Sequence, residues 1–277
     1  VTATDLDRWL GSTRTERMPV LFLGHGSPMN AIEDNLFTRG IHAKGAELPK
    51  PRAILCISAH WETFGTQFTA MGQPRTIHDF GGFPESLYQV QYPAPGMPAL
   101  AGAGAELTQG ALDHDKWGLD HGAWSVLLHL VPNADVPVVQ MSLDRRKTPA
   151  EHVALAKQLT ELRRRGVLIV GSGNMVHNLG RVAWDRMNQV GFAYDWATEA
   201  HDVLMERVRG QRLDELAHYA RLGTAVQYAV PTPEHYLPML YALALRESDE
   251  ALEVFNDYAL AGSLTMTSLA LGIKAQA

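Results

Sequence analysis

Six of the twelve histidines in the chain stand where an imidazole could do chemistry. His25 lies in Gly24-His25-Gly26-Ser27-Pro28, at the end of the apolar run Pro19 to Leu23. His60 lies in Ser58-Ala59-His60-Trp61, at the end of Ala53 to Ile57. His177 follows Val167 to Val170 by way of Gly171-Ser172-Gly173-Asn174-Met175-Val176. Neutral imidazole is the commonest transition-metal ligand, and near neutral pH it also takes up and returns protons. One histidine at a strand end is ordinarily a polar group satisfied by its neighbours. Three on one sheet edge need a common cause, and a bound cation supplies one. The glycines beside His25 and before His177 let backbone approach a bound group closely.

His235, in Pro231-Thr232-Pro233-Glu234-His235-Tyr236, falls in the first turn of an expected helix with Thr232 as N-cap, where a neutral metal-held ring fits as well as an unengaged one. His121 opens a second helix behind Asp120, a good N-cap, and can point into a pocket. His78, in His78-Asp79-Phe80-Gly81-Gly82-Phe83-Pro84, sits in a long loop. The remaining histidines, at 42, 114, 129, 152, 201 and 218, have charged or helix-surface neighbours and are expected in solvent. Neither C-x-x-C nor H-E-x-x-H spacing occurs; the P-loop, G-x-G-x-x-G and G-x-S-x-G patterns are also missing. What is left is a scattered, histidine-rich, carboxylate-poor metal site.

The elements that must position these residues are short and apolar. Strands are expected at Pro19 to Leu23, Ala53 to Ile57, Gln67 to Met71, Val136 to Leu143 and Val167 to Val170, with a last, edge strand within Ser263 to Leu269. Helical spacing appears at Trp124, Leu127, Leu128 and Val131, at Leu237, Leu240, Tyr241 and Ala244, and more narrowly from Ala150 to Arg165. One or two exposed helices are expected between Tyr194 and Tyr219. Buried strands alternating with amphipathic helices predict an α/β protein: a three-layer αβα domain spanning 1–277 with a largely parallel central sheet and an N-terminal arm over 1–17 that begins with a short helix. In such sheets ligands bind outside the carboxyl ends of the strands, where His25, His60 and His177 fall. The aromatic Pro/Gly-rich stretch from Gly72 to Pro98 reads as a loop folded over that site.

With 277 residues, 46% of them hydrophobic, the chain has ample material for one large core. A formal charge of −6 offers no basic surface for nucleic acid. The one tight basic run, Arg163 to Arg165, is expected to close a helix on the surface and complement its dipole. The single cysteine, Cys56, reads as a buried strand thiol. No apolar stretch reaches the roughly 18 residues of a membrane span, and the polar, charged start does not read as a secretory signal. A cytoplasmic protein is expected.

Seven segments occur in order: GHGSPMN from Gly24, SAHW from Ser58, TIHDFGGFP from Thr76, YPAPG from Tyr92, DHGAW from Asp120, GNMVHNL from Gly173 and TPEHYLP from Thr232. Together they resemble the class III extradiol ring-cleavage dioxygenases of the protocatechuate 4,5-dioxygenase superfamily, and within it the 4,5-DOPA dioxygenase extradiol subgroup, over nearly the whole chain from Met18 to Ile273. The resemblance implies one mononuclear metal site and O₂-dependent opening of a small catechol beside its hydroxyls. It implies His25, His60 and His235 as metal ligands, and His177 as acid/base or as a further metal contact. His121 becomes a substrate-side group that donates to a substrate oxygen or to O₂, and Trp61, His78 and Phe80 become candidates for the pocket wall. Ring-cleaving enzymes generally present two histidines and one carboxylate to Fe(II). An all-histidine set is neutral, so Zn(II) becomes a natural occupant beside the Fe(II) that ring cleavage needs. A zinc-dependent hydrolase and a non-catalytic metal-binding protein of the same fold are the rival readings. Oligomeric state and the natural catechol are not legible in the sequence.

Overall fold

The computed structural model describes residues 3–274. Ten strands are present among them: β1 (Val20–Gly24), β2 (Ala53–Thr63), β3 (Gln67–Thr69), β4 (Ala111–Asp113), β5 (Val138–Asp144), β6 (Val167–Gly173), β7 (Leu252–Phe255), β8 (Ala259–Leu260), β9 (Leu264–Thr265) and β10 (Ser268–Leu271). Eight form one sheet in the order β4-β3-β5-β2-β6-β1-β10-β7, and β8 pairs with β9. The centre, β5-β2-β6-β1, is parallel throughout. Antiparallel β10 and β7 extend it beyond β1, and β3 joins β5 antiparallel at the other side.

The helices are α1 (Ala3–Leu10), α2 (Leu36–Glu47), α3 (Glu85–Tyr88), α4 (Pro98–Thr108), α5 (His121–Leu130), α6 (Pro149–Lys157), α7 (Asp195–Arg209), α8 (Leu213–Ala217), α9 (Thr224–Ala229) and α10 (Leu237–Ala244). Alternate strand residues bury to opposite sides, as the period-2 geometry of a strand requires. Phe22, Leu55, Ile57, Val139 and Ile169 meet residues of α6, α7 and α10 in one core. Leu21, Leu23, Ile54, Cys56, Leu168 and Val170 meet Ile41 of α2 and Trp124 and Leu127 of α5 in the other. The protein is therefore the three-layer α/β fold that the sequence pattern predicts. No helix among the described residues is long and apolar enough to cross a membrane.

Several local expectations change. β2 does not stop at Ile57; it runs on to Thr63, and its register against β5 slips between Ile57 and Glu62. His60 stands inside this irregularity, a device that re-aims side chains next to functional sites. The last large-sheet strand, β10, is not an edge, because it lies between β1 and β7. Thr232 does not cap a helix. Its hydroxyl donates to Glu234 Oε1 at 2.9 Å, and α10 begins five residues later at Leu237, so His235 stands in a turn ahead of the helix. The Ala150 to Arg165 helix divides into α6 and a 3₁₀ segment, Thr160–Arg165.

The expected surface run Arg163 to Arg165 is the sharpest reversal. Arg163 and Arg165 are buried; Arg163 pairs with the equally buried Glu250 and also donates to the carbonyls of Met18 and Leu245. A buried guanidinium needs this full set of acceptors, and here they tie β6's leading turn to the segment before β1 and to the chain's C-terminal third. His152, expected in solvent, is also buried, with Nδ1 2.8 Å from the Tyr241 hydroxyl. The short helix expected in the N-terminal segment is present as α1, and its Leu6 and Leu10 are buried in the first core.

Candidate metal centre

β2, β6 and β1 are neighbours in that order, so His60 and His25 reach the same edge from strands on either side of β6. Adjacent strands are about 4.8 Å apart, which places the two carriers roughly 10 Å from each other. Their side chains close this gap over the end of β6. His25 Nε2 and His60 Nε2 are 3.2 Å apart. Ligand atoms of His25, His60 and His235 all lie within 4.8 Å of one another. Two nitrogens bonded to one tetrahedral zinc at about 2.0–2.1 Å would stand about 3.4 Å apart, so the spacing suits a shared cation.

β6 makes room for the third ring. A Cβ on Gly173 would strike the carbonyl oxygen of His235, and Asn174 N donates to that same carbonyl at 2.9 Å. The Gly-Ser-Gly end of β6 thus lets the protein's own backbone approach, rather than a bound group. Nothing larger than glycine would let the His235 turn lie directly on the strand.

Two of the three tautomers are set by neighbours. Ser172, fully buried on β6, donates its hydroxyl hydrogen to the Gly122 carbonyl, so its oxygen accepts from His25 Nδ1 at 3.0 Å. Glu234 Oε1 accepts from His235 Nδ1 at 3.3 Å. Both rings therefore keep an Nε2 lone pair for the centre, the arrangement that outer partners give to metal-bound histidines. Glu234 faces the back of His235 in this arrangement. Burial works to raise its pKa, but hydrogen bonds from His235 and Thr232 prevail and hold it at about 2. Burial first, and then mutual repulsion, keep His25 and His60 well below the ordinary histidine value. The donor set is three imidazoles with no carboxylate among them, and it fits a divalent ion.

His60 is braced from below. Its backbone N–H donates to Ser58 Oγ at 3.1 Å, and Ser58 donates to Asp120 Oδ1 at 2.7 Å. Asp120 caps α5 through Ala123 N and also accepts from Trp117 Nε1. Burial raises the Asp120 pKa, with Asp79 adding to the effect.

The other histidines take distinct places. His177 stacks parallel on His235, centroids 3.6 Å apart, outside the three-histidine group. Burial, then His235, pushes its pKa down to about 3. The His121 ring lies 3.9 Å from that of His60, and its Nδ1 is 2.8 Å from Asp79 Oδ1. Phe80 meets the His121 ring edge-on at 5.5 Å. His78 spends Nε2 on the Val90 carbonyl at 2.9 Å and packs on Trp124, which anchors the long loop. Trp61 is buried and stacked on Trp117 at 5.7 Å. The sequence reading missed Ser172, Ser58, Gly122 and Asp79. Only Asp79 carried a visible signal, as the charged residue between His78 and Phe80.

A largely parallel αβα sheet with imidazoles gathered at its carboxyl edge places the protein among α/β proteins whose site could hold a metal ion. The chain belongs to the family described as the catalytic LigB subunit of aromatic ring-opening dioxygenase, whose model matches residues 20–270. It is 46% identical over 264 residues to the 4,5-DOPA dioxygenase extradiol of Escherichia coli K12, covering 92% of this chain and 95% of that protein. It is 35% identical over 246 residues to the protein of the same name from Beta vulgaris, covering 86% and 90%. The crystal structure of an uncharacterized Escherichia coli K12 protein superposes with a TM-score of 0.79 at 40% identity, covering 92% of this chain and 99% of that one. The family assignment confirms the resemblance drawn from the seven motifs.

Proposed function

We propose that the protein is an extradiol dioxygenase that opens a small catechol with O₂ at one divalent metal held by His25, His60 and His235. The observation that carries this reading is the convergence of three chain-distant imidazoles, two with Nε2 lone pairs fixed by Ser172 and Glu234, in a member of a ring-opening family. A divalent metal bound there supplies a template and Lewis acid that brings catechol and O₂ together, with Fe(II) serving ring cleavage and Zn(II) able to occupy the same set.

The chain's own groups supply the rest. His177, stacked on His235, accepts a proton from a catechol hydroxyl at a ring nitrogen and later returns it to the departing oxygen; with its pKa held at about 3 it is a weak base, so the transfer requires a hydroxyl already acidified by the metal. His235 keeps Nε2 toward the centre while Glu234 holds its Nδ1–H. His121 and Phe80 form the substrate side, and the 72–98 loop that carries Phe80 excludes water. His78 and Trp61 shape the pocket indirectly, through the loop anchor on Val90 and the stack on Trp117.

The test is anaerobic loading with Fe(II), then oxygen uptake and visible absorbance with a panel of catechols, beside a zinc-loaded control. Stoichiometric O₂ consumption and a coloured ring-opened product with iron alone are expected. Zinc-supported, oxygen-indifferent hydrolysis would favour a hydrolase, and firm metal retention with no turnover of any catechol a binding protein. Either result removes the proposal.

A further inference from the structure

Asp79 is a buried-edge carboxylate directed at a single neighbour. Its Oδ1 accepts from His121 Nδ1 at 2.8 Å and from the His121 backbone N–H at 2.9 Å. The two side chains are 15% and 7% exposed, so water competes little for either bond. The partners come from different elements, Asp79 from the loop ahead of α3 and His121 from the first position of α5. The next loop residue, Phe80, closes on the same imidazole, edge to face at 81°. The ring is thus gripped by a carboxylate at Nδ1 and an aromatic wall beside it, while its neighbour on the centre side is His60, tilted at 44°.

We propose that Asp79 is a positioning residue that holds His121 in the tautomer with hydrogen on Nδ1, so that Nε2 meets the aromatic substrate as a hydrogen-bond acceptor. A carboxylate bonded to Nδ1 can only accept, so Nδ1 carries the hydrogen, and in the neutral ring Nε2 then keeps its lone pair. Orienting an imidazole and choosing its tautomer is the established use of such a pair. The consequence reverses the expectation that His121 donates: it takes the hydrogen of a substrate hydroxyl. The role in turnover rests on the ring-cleavage reading above, whereas the tautomer does not.

The same atoms admit a competing use, since His60, Asp79 and His121 also bring ligand atoms within 4.8 Å of one another. The bonding favours the positioning role, because Asp79 Oδ1 already accepts two hydrogens from His121.

The experiment combines nitrogen-15 NMR of the histidine rings in the zinc-loaded protein with kinetics of the Fe(II)-loaded protein, for wild type, Asp79→Ala and Asp79→Asn. Wild type should show His121 with hydrogen on Nδ1, assigned by its loss in His121→Gln. Asp79→Ala should move the hydrogen to Nε2, keep metal content within about 2-fold and lower kcat by ~10²-fold with KM changed far less. Asp79→Asn, whose Oδ1 can still accept both bonds, should keep the wild-type tautomer and recover a large part of kcat. A wild-type His121 with hydrogen on Nε2, or an Asp79→Ala protein with the wild-type tautomer, overturns the proposal. Loss of metal in Asp79→Ala overturns it in favour of Asp79 as a ligand. If no catechol is turned over by wild type, the ring-cleavage reading falls and the tautomer result alone decides the positioning.

Discussion

Gly122 offers a direct test of how α5 and β2 jointly aim His60. A Cβ there would stand 2.9 Å from His60 Cδ2, against 3.4 Å for the near limit of ordinary contact, a shortfall of about 0.5 Å. It would press harder still on Ser58 Oγ, the atom that bonds both Asp120 and the His60 backbone. At an open helical position Gly→Ala stabilises by about 1 kcal/mol. Here overpacking costs about 1–3 kcal/mol, and disturbing one buried hydrogen bond of Ser58 costs a further ~1–3 kcal/mol. The net for Gly122→Ala is a destabilisation of about 3 kcal/mol, or a Tm lower by roughly 6–12 °C for a domain of this size. Displacing His60 by half an ångström should also weaken metal binding by about 10–100-fold, the loss typical when a ligand's support is altered. Calorimetry with and without zinc, and zinc competition against a chromogenic chelator, measure the two effects. A variant as stable as wild type or more so, with unchanged zinc affinity, would refute the packing of α5 against Ser58 and His60 from which both numbers come.

Two further outcomes follow from other buried groups. Ser172→Ala leaves the Gly122 carbonyl and His25 Nδ1–H without their shared partner; stability should fall by about 1–3 kcal/mol and zinc affinity by about 10–100-fold, whereas unchanged competition curves would show that Ser172 does not set the His25 tautomer. His152 is neutral in the fold, its pKa pushed down to about 4 chiefly by burial. Between pH 6.5 and 4 the unfolded chain takes a proton that the folded one refuses, so stability falls as pH falls, by roughly 3 kcal/mol in full. The double variant His152→Leu/Tyr241→Phe, which orphans neither partner, should lose this part of the acid slope in denaturant titrations from pH 7 to 4, and a slope equal to wild type would count against the assignment.

The central architecture was legible because its signal is redundant. Strands buried on both faces read as unbroken apolar runs, so β1, β2 and β6 announce themselves in Val20 to Leu23, Ala53 to Ile57 and Val167 to Val170, and β5 does so less cleanly, with Gln140 and Ser142 interrupting Val138 to Leu143. Helices at the margin did not. In α4, small residues such as Ala101, Gly102, Ala103 and Gly104 are all buried, so no polar face marks its period, and α2 hides its start in an Asn35–Thr38 capping box. The pair Thr148-Pro149 and Thr232-Pro233 shows why a cap is more than a dipeptide. Glu151, three residues after Thr148, completes a capping box, whereas Glu234, two residues after Thr232, captures the threonine hydroxyl in a turn. Arg163 misled for a related reason: a basic run reads as surface until Glu250, Met18 and Leu245, all remote in sequence, supply its acceptors.

On the proposed reading the site shows the same division, between groups that would bind a metal and groups that aim them. A ligand must be one of few residue types, so the histidines at strand ends stand out against any background. Their supports need only be small, or able to offer one oxygen in one place, and Ser58, Ser172, Gly122 and Gly173 look like any turn residues. What makes them specific is strand order. With β6 between β1 and β2, the rings of His25 and His60 must lean toward each other across its end, and that end has to lie low enough for the His235 turn to cover it. Glycine at 173 meets the steric demand, and serine at 172 holds the nearer imidazole from beneath. Neither choice has meaning until three distant segments are brought to one edge, so the supports become readable only after the topology that the apolar runs specify.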